Sequence, residues 1–582
     1  MPTRIADWID ERTGYRVLVA RALEEEIAGG ARFAYVFGSA LTVILVCQVI
    51  TGMLLMATYT PSTGGAWASV YYLQHQVTGG WFVRGLHAYG AQMLIIVLGM
   101  HLMQVAIYGA YKRPRELTWW LGLALLGLVQ AWALTGNPLP WDEQGYWASK
   151  IETGIMGSVP VIGTALQRLI VGGADHGQIT LTHFYVLHVA VLPLVFGLLL
   201  FGHIALFRKH GPKPPHDADL SKRARYFPEQ AALDVVFSVI VMLVIAIWTA
   251  AIGGAPLGAP ADPSLDYPAR PAWYFLFLWK LRMILPSAVE LFATMVLPGI
   301  AGGFLFALPF LDNKPGQTVG QRIKWLVPIF AGAAGICVLT VMARHDDGKD
   351  KHYQQASSTA AARAARSVLL AGQGIPPGGP LEMLAKDPLS RGPAVYAEAC
   401  TTCHVLHGDG EYAAPVHTGF GSREWLDGML HDPQDPRYFG RTELDDMKSM
   451  DEKLDAEQRK AVIEFLFSLG AEPSDPAHDT TLAENGAAVF KDKCMDCHLY
   501  KGEGADEFDG PDMTGYASRA WIAKQITDPK AIYGDLNKMT PFAGELSESD
   551  IQMIATYLRL QRFEKPETGP LPAGLPPPKK SE

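Results

Sequence analysis

Residues 84–101 read RGLHAYGAQMLIIVLGMH, and residues 183–203 read HFYVLHVAVLPLVFGLLLFGH. Both stretches are apolar enough to lie in a bilayer, where ionisable side chains are rare and functional by default. The first carries His87 and His101, 14 residues apart; the second carries His188 and His203, 15 apart. At roughly 100° per residue, 14 steps return to within about 40° of the start and 15 to within about 60°. Each pair therefore shares a helix face, its members about 21–22 Å apart along the axis. Two such helices facing each other offer two histidine pairs, one near each side of the membrane. An imidazole on either side suits a haem iron. Any one of the four, taken alone, reads equally as a hydrogen-bonded core residue. A di-metal or proton-relay site would call for companion carboxylates at helical spacing, which the pairs lack. Gly38 and Gly52, and Gly122 and Gly136, repeat the 14-residue interval. Glycine leaves room for a flat ring against a backbone, although small residues also serve close helix packing.

Outward from these stretches, apolar segments recur near 33–57, 86–108, 118–136, 181–206, 233–252, 288–310 and 324–343. Each approaches the roughly 20 residues a membrane helix needs. The chain has 582 residues, 49% hydrophobic and 18% charged, so a single soluble domain is excluded. The net charge of −9 gives no reason to expect nucleic acid. Basic residues gather before the first span (Arg4, Arg12, Arg16, Arg21) and after the second (Lys112, Arg113, Arg115). They gather again after the fourth (Arg208, Lys209, Lys213, Lys222, Arg223, Arg225) and the sixth (Lys314, Arg322, Lys324). By the positive-inside rule the N-terminus is cytoplasmic, and an odd number of spans places everything after about residue 345 outside. Residues 1–30 mix Ile5, Trp8, Ile9, Val17, Leu18 and Leu23 with charges. That pattern fits an amphipathic helix on the cytoplasmic face or a plain solvated lead-in. Residues 346–390 read as a linker, Ala-rich and then Gly/Pro-rich, and 563–582 as a Pro-rich tail.

Beyond the linker stand two strings, Cys400-Thr-Thr-Cys403-His404 and Cys494-Met-Asp-Cys497-His498. Two thiols that form thioethers, followed by a proximal histidine, make a haem c attachment site. A thioredoxin-like pair has no following histidine, and a zinc site would bring two such strings closer in sequence. The units at 391–471 and 484–562 align: Ser422-Arg-Glu-Trp-Leu answers Ser518-Arg-Ala-Trp-Ile, and Pro415 answers Pro511. Met539 stands seven residues before Leu546 and a closing helix, as Met447 stands before Leu454, which favours Met447 over Met450 as a distal ligand. The first unit has 15 acidic against 8 basic residues and the second 13 against 9. An acidic face steers a basic mobile cytochrome c; an ordinary solvated surface has the same composition.

Four motifs carry a family resemblance: Arg-Gly-Leu-His at 84–87, Lys-Arg-Pro-Arg-Glu-Leu-Thr-Trp at 112–119, Leu-Pro-Trp-Asp-Glu-Gln-Gly-Tyr-Trp at 139–147, and His-Phe-Tyr-Val-Leu-His at 183–188. Residues 31–210 resemble cytochrome b6, and 211–345 resemble subunit IV of the cytochrome b6f complex. Together they correspond to cytochrome b of the bc1 complex. Each C-terminal unit resembles a small class I cytochrome c. The expected fold is all-α: a seven-helix transmembrane haem b bundle followed by two small α-helical cytochrome c domains. The resemblance implies two non-covalent haems b, one held by His87 with His188 and one by His101 with His203. Arg84 would pair a propionate. Two covalent haems c would be held through Cys400, Cys403, Cys494 and Cys497, with His404 and Met447, and His498 and Met539, as iron ligands. Two departures stand out. Val36 occupies the position where the b6 group attaches an extra haem through cysteine, so none is expected there. The outer quinol-site motif, Pro-Glu-Trp-Tyr in most of the family, reads Pro271-Ala272-Trp273-Tyr274. Its proton-accepting glutamate is missing; Glu143 or Asp266, ranked equally, or a water chain from the outside is expected to take the proton instead.

The function implied is the core of a quinol:cytochrome c oxidoreductase in a bacterial inner membrane, coupling quinol oxidation to proton translocation. A Rieske iron–sulfur protein must be a separate chain, because only Cys47 and Cys337 remain and both lie inside spans. A soluble cytochrome c or a terminal oxidase would accept electrons, and the family resemblance implies a homodimer. Ala272 leaves room for a second reading, a non-bifurcating transmembrane electron conduit. A helix bundle of transporter type with a redox sensor is a third, which the histidine spacing opposes.

Overall fold

A computed structural model describes residues 2–566 apart from 266, 287–288, 291, 506–509 and 535–536. Asp266 and the tail from 567 onward lie outside the described residues. The chain divides into two compact units, Met1–Leu381 and Glu382–Glu582.

Among the described residues of the first unit, seven helices are long and apolar enough to cross a membrane. They are Phe33–Met56, Gly80–Tyr108, Glu116–Gly136, Gln178–His210, Tyr226–Ile252, Thr294–Leu311 and Gly320–Lys349. Their connections sort into two sets. Tyr59 Oη donates to Leu139 O (2.7 Å) and Trp67 Nε1 to Gly258 O (2.7 Å), tying together the loops after spans one, three and five. On the opposite side Arg115 Nη2 donates to His210 O (2.7 Å) and Lys112 Nζ pairs with Asp312 (2.7 Å). There too Glu26–Ala28 forms a two-stranded antiparallel ribbon with Arg223–Arg225. Loops of like parity meet only if successive spans cross in alternate directions, so the multi-pass topology follows from these contacts. Ahead of the ribbon, Pro2–Thr13 and Tyr15–Leu23 are two helices broken at Gly14, whose φ of 63° suits glycine.

Among the described residues the sixth span runs Thr294–Leu311, and residues 287–288 and 291 of the expected segment lie outside them. Leu285, which precedes Pro286, is extended, and a shorter helix, Leu276–Ile284, packs on span seven before that break. Span seven runs on to Lys349, and Asp350 caps the next helix, Lys351–Ala371, through Tyr353 N. Much of the expected linker is thus helix belonging to the first unit. It returns to the loops: Arg363 pairs with Glu143 (2.6 Å) and Arg270 with Asp347 (2.8 Å).

The second unit holds both Cys-x-x-Cys-His repeats around one core that includes Tyr396, Trp425, Leu466, Phe490, Trp521 and Ile554. The repeats superpose in their local bonding. Ser422 and Ser518 cap equivalent helices, Arg423–His431 and Arg519–Thr527, and Trp425 and Trp521 donate to Val416 O and Asp512 O. Their terminal helices are shared between them. The opening helix of repeat one, Pro388–Ala399, packs on the closing helix of repeat two, Glu548–Leu560. The closing helix of repeat one, Ala456–Leu469, packs on the opening helix of repeat two, Thr480–Lys493. Tyr396 against Tyr557 and Phe465 against Phe490 mark the two exchanged contacts.

The exchange predicts that damage in one repeat reaches the other. A Cβ at Gly486 would lie 1.9 Å from Ala461 O. Gly486→Ala should therefore destabilise the whole C-terminal unit, by about 1–3 kcal/mol or more. Thermal melts followed at both c-type haem signals should shift together; a shift confined to one haem would contradict the exchange.

Candidate functional site

Spans one to four bring the four histidines face to face in the expected pairs. The ring centroids of His87 and His188 are 6.2 Å apart. Two nitrogen–metal bonds of about 2 Å, plus the reach from each ring centre to its nitrogen, fill that distance. Each imidazole also meets one glycine. A Cβ built at Gly136 would lie 2.6 Å from His188 Cε1, at Gly52 3.2 Å from His87 Cε1, at Gly122 3.3 Å from His203 Cε1, and at Gly38 3.9 Å from His101 Cε1. The residues present therefore fit a flat macrocycle laid beside each imidazole.

The unequal spacing of the two pairs has a structural cause. Span four contains a π-helical turn at Leu187–Val191, immediately around His188. Such a turn takes up one extra residue. The 15-residue interval to His203 thus recovers nearly the phase of the 14-residue interval in span two. Pro193, without an N–H to give, follows that turn.

Hydrogen bonds fix three of the four rings. His188 Nδ1 donates to Trp132 O (3.1 Å), and His203 Nδ1 to Thr118 O (2.9 Å). His87 Nδ1 lies 2.9 Å from Thr51 Oγ1, whose own proton goes to Cys47 O (2.7 Å). Each bond leaves Nε2 free to ligate. Arg84 is buried and donates to Ala255 O (2.7 Å) and Pro256 O (2.8 Å), a cation held by neutral carbonyls and by Gln74.

In the second unit His404 Nδ1 donates to Pro415 O (2.7 Å) and His498 Nδ1 to Pro511 O (3.1 Å), again freeing Nε2. A continuous cavity of about 1970 Å³ is lined by Cys400, Cys403, Cys494, Cys497, Met447 and Met539. Met450 N donates to Leu430 O (2.9 Å), and Phe542 N to Ile526 O (3.0 Å). Because Leu430 and Ile526 are equivalent positions, Met450 answers Phe542 and Met447 answers Met539. Met450 is core; Met447 keeps the register expected of a distal ligand. His417 was not singled out from sequence. Its ring stacks on His404 at 4.1 Å, where repeat two has Met513, and no motif announces it.

The segment Pro271–Tyr274 lies along the helix Glu143–Gly157. Asp142 caps that helix, accepting from Gly145 N (2.8 Å), and its other oxygen accepts from Gly258 N (2.9 Å). Beside it Trp141 takes a left-handed φ of 50°, an uncommon conformation for a bulky residue. Pro271 is buried; Trp273 Nε1 donates to Gln92 Oε1 (3.2 Å). Glu143 is 2% exposed and ion-paired with Arg363; burial pushes its carboxyl up to about 7 against that pull. Glu152, also missed from sequence, accepts from Ala272 N (3.4 Å), and burial pushes it up to about 7 as well. Burial and Glu152 together raise the Tyr274 hydroxyl above its usual range.

By fold and donor set this is a haem-binding, multi-pass membrane electron carrier. The family model described as cytochrome b/b6/petB matches residues 24–211, that for cytochrome c residues 389–470, and that for cytochrome C oxidase, cbb3-type, subunit III residues 481–558. Cytochrome b6 of Oltmannsiellopsis viridis is 36% identical over 213 residues, 37% of this chain and 99% of that protein. Cytochrome b6 of Auxenochlorella protothecoides is 37% identical over the same coverage. The chain belongs to the cytochrome b/b6 family, as a cytochrome b fused to cytochrome c. Among solved structures, a chain of a hyperthermophilic respiratory Complex III aligns with TM-score 0.52 and 27% identity, over 58% of this chain and 91% of that one.

Five substitutions check the site. Gly136→Ala should lower haem b content, while Gly197→Ala, whose Cβ would have nothing within 4 Å, should not. Met447→Leu and Met539→Leu should each abolish the sulfur–iron charge-transfer band of one haem c. Met450→Leu should leave both bands in place.

Proposed function

We propose that the chain is the core subunit of a quinol:cytochrome c oxidoreductase. In this reading quinol gives up two protons and two electrons. The electrons pass singly to two acceptors: an iron–sulfur protein of Rieske type in another chain, and the membrane haem pair. The observation that carries the reading is on the helix Glu143–Gly157. Glu143 Oε2, Tyr146 Oη, Trp147 Nε1 and Glu152 Oε2 are buried without a hydrogen-bond partner. Native proteins rarely leave such groups unmatched. Of these, Glu152 faces Pro271–Tyr274 on the His87/His188 side of the membrane, where a buried, unmatched acceptor fits a hydroxyl-bearing substrate. The likeness to the Complex III chain supports membership of a multi-subunit complex.

Haem, when bound, supplies a one-electron carrier at each site. This chain's residues hold and tune it. His87 with His188, and His101 with His203, would hold two haems b, with Arg84 a fixed positive charge near the first pair. Cys400 and Cys403, and Cys494 and Cys497, would attach two haems c, with His404 and Met447, and His498 and Met539, as iron ligands. Pro271, Trp273 and Tyr274 shape the quinol site, and Glu143 and Asp266 are the acids first expected to take its proton. The basic loops support a cytoplasmic N-terminus, with the cytochrome c unit outside a bacterial inner membrane, where a soluble cytochrome c or terminal oxidase would take the electrons. Each complex would contain two copies of the chain. Proton release outside and uptake inside would then generate a protonmotive force. Ala272 favours a second reading, a conduit that passes electrons across the membrane without splitting them.

The purified complex should show haem b and haem c in a one-to-one ratio by pyridine haemochrome spectra. With its iron–sulfur partner it should reduce cytochrome c on addition of quinol. A b-to-c ratio of two to three would reveal a further covalent haem. Absence of quinol-dependent reduction would favour the conduit.

A further inference from the structure

We infer that Glu152 is the carboxylate that receives a proton from the quinol hydroxyl, in the place that Ala272 leaves without one. The inference rests on the quinol-oxidising reading and names a catalytic residue for it. Glu143 and Glu152 are nine residues apart on one helix, which puts them on opposite faces and about 13 Å apart along the axis. Each has committed to its own side. Glu143 faces away from the 271–274 segment: its backbone N–H donates to Ala259 O (2.9 Å) and its carboxylate pairs with Arg363 at 2.6 Å. Glu152 faces that segment, with Oε1 accepting from Ala272 N at 3.4 Å and Oε2 buried and unmatched. One oxygen is thus anchored to the backbone and the other is left to take a proton, as a general base requires.

The surroundings set the chemistry. Tyr274 faces Glu152 from the 271–275 segment and interacts with it electrostatically. Burial pushes the Glu152 carboxyl up to about 7, against the smaller downward pull of the Ala272 N–H. A base poised near the working pH is the efficient one. The step balances: the quinol O–H bond breaks, a Glu152 Oε2–H bond forms, and the two electrons leave to the iron–sulfur protein and the membrane haem. The second proton leaves by a separate route. The ionised, accepting form of Glu152 grows as pH rises through about 7, so turnover should rise over the same interval.

A merely structural Glu152 would tie the helix to Ala272 and do no more. Glu152→Gln separates the two roles, because the amide oxygen still accepts from Ala272 N while the proton acceptor is gone. In the whole complex, Glu152→Gln should lower kcat for quinol-dependent cytochrome c reduction by at least about 100-fold, within the usual range for general acid–base catalysis. KM for quinol and the haem spectra should stay close to the parent, and the rise of rate with pH should vanish. Glu152→Asp should recover part of kcat and restore a pH-dependent limb. A Glu152→Gln complex that matches the parent at every pH overturns the inference. So does a Glu152→Asp complex that is no faster than Glu152→Gln, or a loss confined to KM. A parent complex that reduces no cytochrome c with quinol overturns instead the reading beneath it.

Discussion

The fold of the membrane unit depends on the fit of an imidazole, a flat ring and a glycine between neighbouring helices. Spans two and four carry the histidines, and spans one and three supply the glycines that face them. A side chain larger than hydrogen at Gly136 would meet the His188 ring at 2.6 Å. The same constraint governs the helices' internal geometry. A π-turn around His188 takes up the extra residue in span four, so that both of its histidines stay on the face that meets span two. Second partners on Nδ1 from Thr51, Trp132 and Thr118 then keep three of the four rings from turning.

On one side of this frame the loops are fastened to each other rather than left to drift. Asp142 joins two of them with both carboxylate oxygens, and Trp67 and Tyr59 add further bonds. The end of span seven and the helix beyond it close over them through Asp347 and Arg363, and Arg270 is sandwiched between Trp279 and Tyr353. The result is a rigid wall that holds Pro271–Tyr274 against the helix Glu143–Gly157. In the second unit rigidity comes from exchange of helices between repeats, which gives two haem c sites one shared core.

The seven spans, the histidine pairs and the glycines opposite them were legible because each obeys a local rule: an apolar run, a helical repeat, a residue small enough for a ring. The register that selects Met447 was legible because the repeat is long enough to align. What was not legible depends on contacts between distant residues. Arg363 and Glu143 lie 220 positions apart, and nothing in the Ala-rich stretch marks it as a partner of the loop. Glu152 reads as one acid in a mixed-polarity helix, and only the folded chain sets it against Ala272. The helix exchange was hidden for a related reason, since two similar repeats have the same sequence pattern whether or not their terminal helices cross over.

The account stands or falls on whether quinol electrons divide at the site formed by Pro271–Tyr274 and the helix Glu143–Gly157. With the cytoplasmic-side quinone site blocked and quinol present, a strong oxidant added to the complex should draw one electron through the iron–sulfur protein and haem c. The other electron is then driven into the membrane haems. The account predicts that haem b becomes transiently reduced as haem c becomes oxidised. Haem b that stays oxidised, or that is reduced by quinol with no oxidant needed, would contradict it.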